Sequence, residues 1–172
     1  MAIFGMTSLM LALALSGQSV IFPPSEPMAI FSPYVGNWSC AERIAGKPVR
    51  VSEFRFDLDH DLLREVIITP ESPTEPQGEA TGATFGFNAK TGDYDEIEMI
   101  SGGRWYVSTA KTPHDGSFHW VDAATSETPS RWDMTLPQRD AFDIQSFSHP
   151  QDKSPSYRAS CKRSPGKRAM SR

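Results

Sequence analysis

Cysteine is scarce in this 172-residue chain, and lysine and arginine are missing from its first 42 positions. Two cysteines, Cys40 and Cys161, cannot support a disulfide-dense scaffold, and without a nearby Cys or His they do not make a zinc motif. The chain also lacks G-x-S-x-G, H-E-x-x-H, a phosphate-cradling glycine loop and a dinucleotide fingerprint. Those absences remove the best-marked hydrolase, metalloprotease and nucleotide-binding classes, and the expectation is that the protein is not an enzyme. Helical periodicity is almost absent too, which excludes a helix bundle. Cations are few in the body: residues 1–161 hold 12 Lys plus Arg against 21 Asp plus Glu, a net charge of −9. Such a surface does not suit nucleic acid, whose phosphates require clustered cations.

The two ends differ from the middle. Residues 1–20, "MAIFGMTSLMLALALSGQSV", carry no charge and centre on an apolar run from Met6 to Leu15. This run is too short for a confident membrane span and reads as a secretory signal peptide, with Ala14-Leu15-Ser16 as a small-x-small cleavage site. The expected location is therefore secreted or periplasmic, with no stable membrane span once the signal is removed. Residues 21–32, including the proline-rich "FPPSEP", read as an extended linker, because proline removes donors and fixes φ. Residues 33–163 read as one domain, and residues 164–172 as a disordered basic tail.

The middle of the chain alternates. In "SEFRFDLD" Phe54, Phe56 and Leu58 point one way, and Glu53, Arg55 and Asp57 the other. The same rule predicts inward faces carrying Phe85 and Phe87, Trp105 and Val107, Phe118 and Trp120, Trp132 with Met134 and Leu136, and Phe142 with Ile144. Short connections rich in Gly, Asn and Asp join the runs as antiparallel hairpins. The strands are expected at about 34–44, 48–57, 61–69, 80–88, 93–100, 103–109, 117–122, 129–136, 140–147 and 155–162. About ten consecutive hairpin-linked strands predict an all-β, antiparallel up-and-down barrel, with a β-sandwich as runner-up; closure would remove both unpaired edges.

Cys40 falls in the first strand and Cys161 in the last. In an exported chain that placement predicts a disulfide across the closing seam, the competing states being two buried thiols or a metal pair. Gly36, Trp38 and Cys40 share one strand face, as do Tyr157, Ala159 and Cys161.

Gly36-Asn37-Trp38 at the start of the first strand resembles the Gly-x-Trp signature of the lipocalin-like or calycin-like barrels, which include nitrobindin-like and fatty-acid-binding-protein-like members. The likeness to small exported bacterial β-barrel proteins of this kind covers residues 31–163 as architecture. It implies an arginine from a late strand packed on Trp38. Arg158 and Arg163 are the candidates, and only Arg163 shares the parity of Cys161. It also implies that haem binding through a histidine is one option for a barrel of this shape.

The inward set Trp38, Phe54, Phe56, Phe85, Phe87, Trp105, Phe118, Trp120, Trp132 and Phe142 could line a cavity for a small hydrophobic molecule. It could equally fill a core, leaving a structural or protein-interaction module. No metal site and no required cofactor are expected. His60 and His114 fall in turns, His149 precedes a proline, and His119 has outward parity. "DLDHDL", residues 57–62, lacks the glycine and glutamate of a calcium loop and reads as an acidic hairpin. Glu96 and Glu98, two apart in one strand, read as surface carboxylates.

Overall fold

The computed structural model describes residues 23–71, 78–123 and 130–165. Residues 1–20, expected to be a signal peptide, and all but the first two residues of the basic tail lie outside the described residues. Ten antiparallel strands follow one another around a closed barrel: β1 (Gly36–Ile44), β2 (Arg50–Asp59), β3 (Leu62–Thr69), β4 (Glu79–Asn88), β5 (Asp93–Ile100), β6 (Arg104–Ala110), β7 (Ser117–Asp122), β8 (Arg131–Thr135), β9 (Ala141–Phe147) and β10 (Tyr157–Arg163). Each strand pairs with its neighbours in chain order, and β10 returns to β1. The up-and-down barrel read from the sequence is the architecture observed, and it is consistent with a calycin-like fold.

Closure rests on the seam. β1 and β10 pair from Trp38 opposite Arg163 to Ile44 opposite Tyr157, which sets Cys40 directly across from Cys161. Their sulfurs are bonded, with the Cα atoms 4.0 Å apart, and both side chains are buried. The cysteines share the inward parity of Trp38, because a period of two puts alternate residues on one face.

Residues 27–32 of the expected linker are not extended. Pro27–Tyr34 forms a 3-10 helix whose Met28, Phe31 and Tyr34 are all fully buried. At three residues per turn, side chains three apart eclipse one another, so this helix presents a single apolar ridge. Phe31 stacks on Phe118 with ring centroids 4.9 Å apart, and its edge contact with Tyr94 is 5.4 Å. Tyr34 stands edge-on to Phe142 at 5.3 Å. Tyr94 donates to the Pro27 carbonyl at 2.9 Å, and Tyr34 donates to the Thr135 carbonyl at 2.7 Å. The helix is therefore a plug, held by apolar burial and pinned by hydrogen bonds to satisfied carbonyls.

Trp38 joins plug to barrel. Its indole N–H donates to the Tyr34 carbonyl at 2.6 Å, and the Arg163 guanidinium lies over its ring, 4.2 Å from the centroid. Arg163 also donates to the Val35 and Pro33 carbonyls at 2.8 and 2.9 Å. The late-strand arginine is thus Arg163, the candidate with matching parity. Gly36 is required at this corner: its φ is +127°, and a Cβ there would stand 2.9 Å from Arg163 Nη1.

The barrel interior has two halves. Near the plug each inward face ends in an aromatic or aliphatic residue: Trp38, Phe56, Leu63, Phe85, Tyr94, Phe118, Met134 and Phe142 are buried together. At the far end the same faces continue into Glu42, Arg50, Glu65, Glu79, Glu96, Glu98, Asp122 and Tyr157.

Candidate functional site

The far half holds a cavity of about 420 Å³. Its apolar wall is Phe54, Ile67, Ile100, Trp132 and Ile144; its polar wall is the row of carboxylates together with Thr69, Thr81, Tyr106, Ser108, Ser130 and Ser146. This placement follows from strand parity. β1 carries Trp38, Cys40 and Glu42 on one face, and β3 carries Leu63, Glu65 and Ile67, so the side that buries the apolar residues must also turn the glutamates inward.

Part of the acidic wall is paired. Glu42 forms an ion pair with Arg50 and accepts from the Tyr157 hydroxyl at 3.0 Å, and Arg50 Nη1 also reaches Glu79 at 3.6 Å. Asp122 is anchored too. It accepts from Ser108 Oγ at 3.1 Å, and from the Ser130 amide and hydroxyl at 3.0 and 2.7 Å.

Glu65, Glu96 and Glu98 are in a different state. Glu65 is 7% exposed and makes no hydrogen bond or ion pair among the described residues. Burial, with the charge of Glu98 added, pushes its carboxyl from 4.5 up to about 8. Glu96 is 4% exposed and is held well above the usual carboxylate range, first by burial and then by Glu98 and Glu65; hydrogen bonds from Ser108 and Trp132 act in the opposite sense. Glu98 is raised by burial, then by Asp122 and Glu79. Tyr157 is raised as well, first by burial and then by Glu42. Repulsion and desolvation thus both favour a proton, or another positive charge, among these carboxylates.

Of the ten aromatic residues singled out in the sequence, Phe54 and Trp132 line the cavity. Trp38, Phe56, Phe85, Phe118, Trp120 and Phe142 are buried in the core, and Phe87 packs half-buried against it. They contact one another closely: Trp120 stacks on Trp132 at 5.2 Å, Phe85 meets Trp120 at 5.3 Å, and Trp38 meets Phe142 at 4.8 Å.

Trp105 breaks the expectation. It faces outward and is 66% exposed, and Tyr106, Ser108 and Ala110 take the inward positions of β6. Register decides this, because Tyr94 pairs with Phe87 on one side and with Ala110 on the other, fixing which face of β5 and β6 turns in. The same parity carries Glu96 and Glu98 inward, so they are not surface carboxylates. Ile97 and Met99 lie outside instead, and with Val66, Ile68 and Trp105 they form an apolar stripe on the outer face of β3 to β6.

None of the four histidines lines the cavity. His60 occupies the β2–β3 turn at the plugged end, where its Nδ1 lies 2.7 Å from the Pro23 carbonyl oxygen. His119 faces solvent between Asp133 and Asp115, at 2.8 and 2.9 Å, and its pKa is raised by both hydrogen bonds. Among the described residues no group of three or more His, Cys, Asp or Glu side chains is arranged to hold a metal ion. No helix among them is long and apolar enough to cross a membrane.

The residues missed in the sequence are Glu42, Arg50, Glu65, Tyr106, Ser108, Asp122 and Tyr157. A signal for some was present: Glu42 shares the parity of Trp38, and Glu65 shares that of Leu63 and Ile67. No protein-family model matches the chain, and no curated protein is significantly similar to it.

Proposed function

We propose that this chain is an exported, non-enzymatic barrel that binds a small molecule, and that the ligand enters the far half of the barrel rather than the aromatic half. The observation that carries this reading is the cavity of about 420 Å³ beside a core that is otherwise filled. That volume falls within the range of about 300–1,000 Å³ usual for small-molecule sites. Phe54, Trp132 and Ile144 would supply the apolar contact expected of a hydrophobic or amphipathic ligand. The disulfide fits an extracellular or periplasmic protein, which supports reading residues 1–20 as an export signal.

The test is to purify the protein from its source, denature it and search by mass spectrometry for a co-purifying small molecule, then titrate the refolded protein while following Trp132 emission. A released compound that rebinds at one equivalent supports the reading. An empty preparation that also binds no hydrophobic probe refutes it, and a Soret band would promote a haem-binding barrel.

The apolar stripe formed by Ile68, Ile97, Met99 and Trp105 favours a second reading, a protein-interaction module. In that case Trp105→Ser and Met99→Ser would abolish recovery of a partner from source extract, and Trp132→Ala would leave it intact.

A further inference from the structure

Resting on the reading of the cavity as a binding site, we infer that its ligand is a small organic cation: an amine whose charged nitrogen lies among Glu65, Glu96 and Glu98 and whose apolar body lies against Trp132. The charge balance of the wall is the first argument. Among the described residues that line the cavity, six carboxylates face one basic side chain, Arg50, and Arg50 is engaged by Glu42 and Glu79. Asp122 accepts hydrogen bonds from Ser108 and Ser130 but has no cation beside it among the described residues. That leaves Glu65, Glu96 and Glu98 with no cation between them among the described residues.

The second argument is the state of Glu65 itself. Glu65 is more than nine-tenths buried, lines the cavity and has no hydrogen-bond or ion-pair partner among the described residues. A carboxyl held in a mostly buried site without a protein partner is costly, and its oxygens are open to the cavity, where a bound group can complete them. A proton is the minimal substitute in the free protein, and the ligand's ammonium would replace it.

The remaining features select the kind of cation. Among the described residues no group of three or more His, Cys, Asp or Glu side chains is arranged to hold a metal ion, which disfavours a bare metal ion as the missing charge. Trp132 is held by its stacking on Trp120, 5.2 Å between ring centroids, and presents an indole beside the acids, which suits cation–π contact. The volume lies near the lower end for drug-sized ligands, so a compact amine is favoured over a long-chain lipid. A fatty-acid carboxylate would meet like charge on most of the wall.

The test uses the full oxidised chain and two charge-matched probe sets. One is 2-phenylethylamine, 2-phenylethanol and 3-phenylpropionate; the other is tryptamine, tryptophol and indole-3-propionate. Isothermal titration calorimetry should find the amine of each set bound at least about tenfold more tightly than its neutral and anionic partners. Glu65→Gln and Glu96→Gln should each weaken amine binding by about tenfold or more and leave the alcohols unaffected. A measurement on the unaltered protein guards against a variant that misfolds: amine affinity should rise between about pH 6 and about pH 8 as protons leave the cluster, and alcohol affinity should stay level. The titratable and charged groups that share the cavity with Glu65 are Glu96 and Glu98 of β5, Arg50 of β2, Glu79 of β4, Glu42 of β1, Asp122 of β7, Tyr106 of β6 and Tyr157 of β10. Tightest binding by an alcohol or a carboxylate would overturn the cation inference and keep the small-molecule reading. Failure of all six probes to bind would overturn both.

Discussion

Phe31 offers the sharpest test of the fold, because its sequence neighbourhood reads as linker and its structural neighbourhood is core. Phe31→Ala removes a fully buried ring that stacks on Phe118 at 4.9 Å and also contacts Tyr94 and Phe85 at 5.4 and 6.0 Å. Truncating a buried phenylalanine costs about 3–5 kcal/mol, the transfer term plus the cavity left behind. The aromatic contacts, each worth about 0.5–1.5 kcal/mol beyond burial, place Phe31 in the upper part of that range. For a domain of this size the loss corresponds to roughly 8–20 °C in Tm, at about 2–4 °C per kcal/mol. Guanidinium denaturation of the oxidised protein, followed by circular dichroism, measures it directly. Ser32→Ala, at an exposed position of the same helix, is the control and should stay within about 0.5 kcal/mol. A Phe31→Ala shift below about 1 kcal/mol would refute the docked plug and restore the linker reading.

Three further outcomes are expected. Replacing both Cys40 and Cys161 with serine releases a crosslink spanning 121 residues, for which loop entropy gives an upper figure of about 5 kcal/mol; the denaturation midpoint should fall by an amount corresponding to about 2–5 kcal/mol, and an unchanged midpoint would contradict a closing disulfide. Trp105→Phe should lower the fraction of tryptophan emission that aqueous iodide can quench, since Trp38 and Trp120 are fully buried and Trp132 lies in the acidic cavity; a quenchable fraction equal to that of the unaltered protein would mean that Trp105 does not face outward. Between pH 4.5 and about 8 the native state keeps a proton on Glu65 that the unfolded chain has already released, so stability should fall as pH rises through that window. The contribution of Glu65 to that slope is at most about 1.4 kcal/mol per pH unit, and Glu65→Gln should flatten it; an equal slope in the variant would place the titration elsewhere.

The particular residues show what was legible. Alternation in "SEFRFDLD" and the short polar turns carry enough local information to count ten strands and join them as hairpins, because each depends only on residues next to one another. The pairing of Cys40 with Cys161 was legible for a related reason: a meander that closes must bring its first and last strands together. Pro27–Tyr34 was obscured by its prolines, which suggest extension, although the spacing of Met28, Phe31 and Tyr34 by three matches a 3-10 ridge.

The cavity depended on more than any one strand. In "DEIEMI" the apolar residues Ile97 and Met99 suggest an inward face, and the structure turns Glu96 and Glu98 inward instead. A strand has only two faces, and its own pattern chooses between them when polar and apolar residues alternate cleanly. Where neighbours are already committed, register overrides that choice: Tyr94, locked between Phe87 and Ala110, carries Glu96 and Glu98 to the interior with it. Local propensity and pattern violated at one place in a fold often mark a functional site, and here they mark the acidic end of the barrel. The sequence by itself determined the strands, their order and the bond across the seam, because those follow from period and proximity. Only the tertiary structure decided which carboxylates meet, because Glu65 of β3 and Glu96 and Glu98 of β5 come to one side of the sheet through the register that β4 sets between them, and that side becomes the interior.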